Sequence, residues 1–71
     1  MLSEAGIGLA KADRRIAEAE RNIRDVNSLI PHIASNGYST EQVEHHLALM
    51  TSVLEHLKAK RREIEGMLGE A

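Results

Sequence analysis

The amino-acid sequence predicts an all-α fold: a coiled-coil-like antiparallel hairpin of two long helices that dimerises into a four-helix bundle. Three observations point there. Each half of the chain carries a heptad stripe of apolar side chains. A helix-stop signal and a helix-start signal lie close together between the stripes. The composition is dominated by Ala, Glu, Leu, Ile, Arg and Lys, with Tyr38 the single aromatic residue. A sheet domain would draw more on Val, Thr, Phe and Tyr.

The first stripe runs Leu9, Ala12, Ile16, Ala19, Ile23, Val26, Ile30, Ile33, in alternating steps of three and four. The second runs Val43, Leu47, Met50, Leu54, Leu57, Arg61, Ile64, Leu68 with the same alternation, interrupted only by the charge of Arg61. Such spacing keeps one face of a helix against a partner for nearly four heptads. Between the stripes, Gly37 suits the left-handed position that ends a helix. Ser39 suits the next N-cap, with Gln42 completing a capping box, and Tyr38 is placed to staple onto Val43. So short a connection forces the two helices to lie antiparallel.

The expected boundaries are helix 8–36, turn 37–39 and helix 40–68, forming one hairpin domain over 8–68. At 1.5 Å per residue, each helix is about 43 Å long. Gly6 and Gly8 weaken the first turn, so residues 1–7 are expected to fray. Gly69 suits a second helix terminus, leaving 69–71 as a tail. Pro31 is the discordant residue. Inside a helix it removes a hydrogen bond to Asn27 and crowds that carbonyl. Because the stripe continues to Ile33, the expectation is a kink. The other reading ends the first helix near Leu29 and begins a new short turn at Pro31, where proline is well placed.

Seventy-one residues make one small domain. A domain of this size buries about 60% of its unfolded surface and is marginal without a staple. There is no cysteine, hence no disulfide and no thiolate metal site. Self-association is the remaining staple. Leu29, Leu49, Val53 and Met67 widen the apolar face beyond a two-stranded seam, as expected where each helix touches two neighbours. The expected interface is therefore Leu29, Leu49, Val53 and Met67 together with Ile16, Ile23, Leu54 and Leu57. A homodimer is preferred over another assembly, a larger protein partner or a monomer. Ala12 and Ala19 let a facing helix come close. Arg61 is expected to lay its stem along the seam and reach Glu20 or Asp13.

Other chemistries find little in the residues. The net charge is −2, from nine basic and eleven acidic side chains. Lys58, Lys60, Arg61 and Arg62, with Arg14, Arg15, Arg21 and Arg24, are interleaved with carboxylates, and pairs such as Glu18 with Arg21 or Glu55 with Lys58 favour solvation and register. That disfavours a dedicated nucleic-acid binder, which would also want stacking aromatics. His32, His45, His46 and His56 include no pair at i, i+4, and adjacent His45 and His46 project about 100° apart, so no metal site is expected. No nucleophile motif or phosphate-cradling loop is present, so neither catalysis nor a cofactor is expected. No stretch reaches the roughly 18 apolar residues of a transmembrane helix. The first six residues lack the features of a signal peptide, which makes a cytoplasmic location the expectation.

The segment Arg15-Ile16-Ala17-Glu18-Ala19-Glu20-Arg21, then Leu29-Ile30, Gly37-Tyr38-Ser39-Thr40, and His56 with Lys60 and Arg62, resembles a group of short, largely uncharacterised bacterial helical-hairpin proteins. Their pattern reads roughly R-x-I-A-E-x-E, G-x-S-T and H-x-x-x-K, and the resemblance extends from Leu9 to Leu68. It implies a helical hairpin of bacterial origin and no particular activity; Pro31 departs from the uninterrupted first helix of that group. The functional expectation is a non-enzymatic protein-interaction module that self-associates through its heptad faces. The alternatives are a small nucleic-acid-binding regulator using Arg- and Lys-rich faces, or a metal- or pH-responsive dimer using the histidines near the turn.

Overall fold

Two heptad stripes folded back on each other at one glycine account for the arrangement of the chain. The structure, a computed structural model, describes residues 4–69. Its elements are α1 (Glu4–Asn27), α2 (Ile30–Ser35) and α3 (Glu41–Gly69), and α1 packs along α3. Among the described residues no strand is present. The expected antiparallel hairpin is therefore the fold. Its outline is a rod of 56 × 19 × 12 Å with a radius of gyration of 16.5 Å. A compact domain of the same length would have a radius of gyration of about 11 Å.

The seam is where the stripes put it. From Leu9 to Ile33 on one side and from Val43 to Ile64 on the other, every stripe residue is shielded at least in part, while Leu68 at the open end is exposed. The shielding is shallow, and among the described residues Ala12 alone counts as buried, at 9% exposure. Its methyl group leaves room for α3 to come close.

The turn is a Schellman motif built on Gly37. The Tyr38 N–H donates to the Ile33 carbonyl at 3.1 Å and the Gly37 N–H to the Ala34 carbonyl at 3.0 Å. This pairing satisfies carbonyls that the helix end leaves open and requires a left-handed residue, which Gly37 supplies with φ 79°. Asn36 adds a side-chain bond from Nδ2 to the His32 carbonyl at 2.8 Å.

The start of α3 differs in detail from the expected Ser39–Gln42 box. The first backbone bond runs from the Glu44 N–H to the Thr40 carbonyl at 2.9 Å, so the helix opens one residue later. The Ser39 hydroxyl still accepts a free helix N–H, that of Glu41 at 3.2 Å. Beside it the Thr40 hydroxyl donates to Glu44 Oε1 at 3.3 Å. Tyr38 is 74% exposed, so its ring is no staple on Val43.

The expected continuous helix 8–36, merely kinked at Pro31, is corrected to two helices. Proline has no N–H for the Asn27 carbonyl, and α1 ends at Asn27. The final turn tightens there, with the Leu29 N–H donating to the Val26 carbonyl at 3.0 Å and the Ser28 hydroxyl to the Asp25 carbonyl at 2.6 Å. α2 then begins with Pro31 in its first turn, where a missing N–H costs nothing. Leu29 between them keeps right-handed helical angles, φ −79° and ψ −20°. Ile30 and Ile33 are both half-buried.

At the other end, α1 begins at Glu4, so residues 4–7 are helical rather than outside the helix as expected. Packing offsets the poor helix propensity of Gly8: a Cβ there would stand 3.6 Å from Ile64 Cδ1, so the backbone and the isoleucine are close neighbours. The rest of the expected frayed segment and most of the expected tail, residues 1–3 and 70–71, lie outside the described residues.

Candidate interaction surface

The heptad seam occupies positions a and d of both helices, so the two flanking edges of the hairpin are formed by the e residues on one side and the g residues on the other. These edges differ in chemistry. The e edge carries Asp13 and Glu20 from α1 with Glu44, Lys58 and Glu65 from α3. Arg61, on the stripe itself, leans towards this edge. Its Nε donates to Asp13 Oδ1 across the seam, and a terminal nitrogen donates to Glu65 Oε1 one turn along. The Arg61 side chain is 34% exposed and both carboxylates are about half exposed, so each pair contributes no more than about 1 kcal/mol. Asp13 is one of the two partners expected for Arg61; Glu20 is not engaged.

The g edge carries Arg15 and Asn22 from α1 and Leu29 from the break after it, with His46, Val53, Lys60 and Met67 from α3, and no carboxylate. A shallow groove follows this edge. It is apolar, lined by Ala19, Asn22, His46, Leu49, Met50 and Val53. Leu49 and Val53 are 54% and 57% exposed there. Two turns towards the open end, a second groove on the same edge is basic. Gly8 and Ala12 give it a low floor, and Lys11, Arg15, His56 and Lys60 stand around it. None of these four side chains is in an ion pair.

The eight residues expected to form an interface fall into two sets. Ile16, Ile23, Leu54 and Leu57 are half-buried in the seam between α1 and α3, where they hold the hairpin together. Leu29, Leu49, Val53 and Met67 are exposed large apolar side chains. Leu49 and Val53 meet in one groove. Met67 is two heptads beyond Val53, about 21 Å along the helix. Leu29 stands at the break between α1 and α2. Sequence reasoning missed Asn22 and the cationic groove. The signal was present in the heptad phase, since Arg15 precedes Asn22 by seven residues and Lys60 follows Val53 by seven.

The basic residues grouped together in the sequence are divided by the fold. Lys60 and Arg15 face one groove, Lys58 is on the opposite edge, and Arg61 is held by carboxylates. All four histidines are exposed: His46 lines the apolar groove and His56 the basic one. Among the described residues no group of three or more His, Asp or Glu side chains is arranged to hold a metal ion. No described helix is long and apolar enough to cross a membrane.

Compared with protein-family models, with curated proteins and with solved structures, the chain matches none.

Proposed function

We propose that this chain is a non-enzymatic interaction module whose working form is a homodimer, each hairpin covering the other's open face in a four-helix bundle. The observation that carries this reading is surface. The chain exposes 5660 Å². A folded monomer of 7.8 kDa is expected to expose about 4,400 Å². The difference, about 1,300 Å² on each chain, is more than the roughly 800 Å² that each partner buries in a specific interface of standard size. Among the described residues one alanine alone is buried beside a half-buried seam, little for a domain of this size, and a second hairpin supplies a further apolar layer. The proposed setting is the cytoplasm. The Arg15–Arg21 and Gly37–Thr40 patterns support a place among short bacterial hairpin proteins.

Sedimentation equilibrium across low micromolar concentrations tests the reading. A mass of two chains is expected, with a thermal midpoint that rises with concentration. A stably folded monomer at those concentrations removes the proposal.

A second reading draws on one specific observation. The unpaired cations Lys11, Arg15 and Lys60 around a groove without carboxylates also favour a polyanion such as nucleic acid. Fluorescence anisotropy against labelled oligonucleotides at about 50 mM salt decides it, because phosphate contacts strengthen as salt falls. No binding there discards this reading.

A further inference from the structure

We infer that the partner seated on the g-edge groove is a second copy lying end over end, with the two-fold axis crossing the rods near Asn22 and Val53. This inference rests on the reading of the chain as a homodimer and adds the face and the orientation.

The face follows from what each edge leaves uncovered. The e edge is polar and partly neutralised, with Arg61 shared between Asp13 and Glu65. The g edge holds Val53, flanked by Leu49 at position c and a half-buried Met50, with small Ala19 and uncharged Asn22 opposite. It is the flank on which an apolar surface and low relief coincide. A second copy of the same flank is shaped and hydrated in the same way, as an isologous contact requires.

The orientation follows from charge. Two copies can meet on this face with their two-fold axis along the rods or across them. With the axis along the rods, every residue faces its own level. The c and g positions of the open half carry Lys11, Arg15 and Lys60, with His56 among them, against Glu18 and Glu63, so a net positive half would then be stacked on its own copy. Like charges brought together in this way oppose association. With the axis across the rods at Asn22, the open half of one copy lies over the turn half of the other. On the c and g flanks that half carries Asp25, Leu29, His32, Gln42, His46 and Leu49, which include no lysine or arginine and one carboxylate. Arg15, seven residues before Asn22, comes to the level of Leu29, near Asp25, and its stem covers a leucine that is otherwise 50% exposed. Leu49 and Val53, close to the axis, pack against their own counterparts.

The absence of native cysteine makes the test direct. A Tyr38→Cys variant, labelled with a nitroxide at the exposed turn, reads the arrangement by pulsed electron resonance. Turn and axis are about 22 Å apart at 1.5 Å per residue, so end-over-end copies put the labels about 45 Å apart, whereas level copies bring them within about 25 Å. A single long distance is the expected result, and a short one overturns the orientation while leaving the dimer intact. Arg15→Glu gives an independent readout. It sets a carboxylate near the partner's acidic level and is expected to raise the dimer Kd by about three- to tenfold. In the level arrangement the same change relieves repulsion and tightens the dimer, and that outcome overturns the proposal. Sedimentation of the labelled protein separates the two claims, because a monomer overturns the homodimer reading itself.

Discussion

Arg61 reaches from α3 across the seam to donate to the carboxylate of Asp13 on α1, and at the same time to Glu65 on its own helix. The charge that interrupts an otherwise apolar stripe is thus tied to both helices near the open end of the hairpin. Its stem covers the seam and its head remains partly in water. Half-exposed pairs of this kind are weak. Asp13→Ala is expected to lower unfolding stability by less than about 1 kcal/mol, and less still at high salt, by urea titration. Arg61→Leu completes the stripe and is expected to raise stability by about 0.5–1 kcal/mol, since added apolar burial outweighs two exposed ion pairs. A loss of more than about 1 kcal/mol in Arg61→Leu would instead show that the ion pairs set the register of the helices.

Gly37 holds the one left-handed backbone position noted among the described residues, at φ 79°. Space is not what keeps it glycine, because no atom lies within 4 Å of where a Cβ would stand. Gly37→Ala is therefore expected to cost about 1–2 kcal/mol through backbone strain alone. Gly37→Asn should cost less, because asparagine tolerates this conformation. Thermal melts at fixed protein concentration compare the two, and equal losses would contradict the Schellman reading of the turn.

Pro31→Ala restores the N–H that the Asn27 carbonyl lacks. Leu29 is already in helical geometry, so α1 and α2 are expected to join into one helix. The gain is expected to be about 1 kcal/mol, well below the roughly 3 kcal/mol of a proline forced into a helix interior, because the existing break already accommodates the ring. Far-UV circular dichroism should show added helix, and amide exchange at residues 28–31 should slow. Unchanged exchange there would mean that residues other than Pro31 cause the break.

Gly8 and Gly66 are helical positions where a methyl group is tolerated. At Gly66 it meets nothing within 4 Å, and at Gly8 it makes ordinary contact with Ile64 at 3.6 Å. Gly66→Ala and Gly8→Ala should each stabilise by about 0.4–1 kcal/mol in chemical denaturation. Gly8→Ala should give the larger gain, since it adds packing to propensity. A destabilised Gly8→Ala would show that α3 lies closer to α1 than the 3.6 Å contact implies.

The stripes were legible because heptad spacing records a tertiary contact directly, and residue after residue from Leu9 to Ile64 is shielded where that spacing requires. The glycine stop was legible for a different reason: φ above zero is a local demand that glycine meets at no steric cost. Pro31 was harder. Whether a proline bends a helix or divides it depends on how the neighbouring carbonyls find partners, and Ser28 and Leu29 do this through contacts that no pattern announces. The first turn is helical from Glu4, and the low propensity of Gly8 takes no account of Ile64 lying alongside it. The division of the eight apolar residues into seam and surface sets, and the contrast between the two edges, required the phase of each helix relative to the other. Composition averages that contrast to a net charge of −2.

The place of the turn, midway between the stripes, also sets an order of events. Ile33 and Val43 can meet after closing a loop of only nine intervening residues, whereas Gly8 and Ile64 must close one of fifty-five. The entropic cost of closure grows with the logarithm of that length, so pairing begins beside Gly37 and advances towards the open end. Folding of the single hairpin is a zipper with a fixed starting point. Mutational φ-values should fall steadily from Ile33 towards Ile64, and an inverse gradient would place the nucleus at the wrong end of the rod.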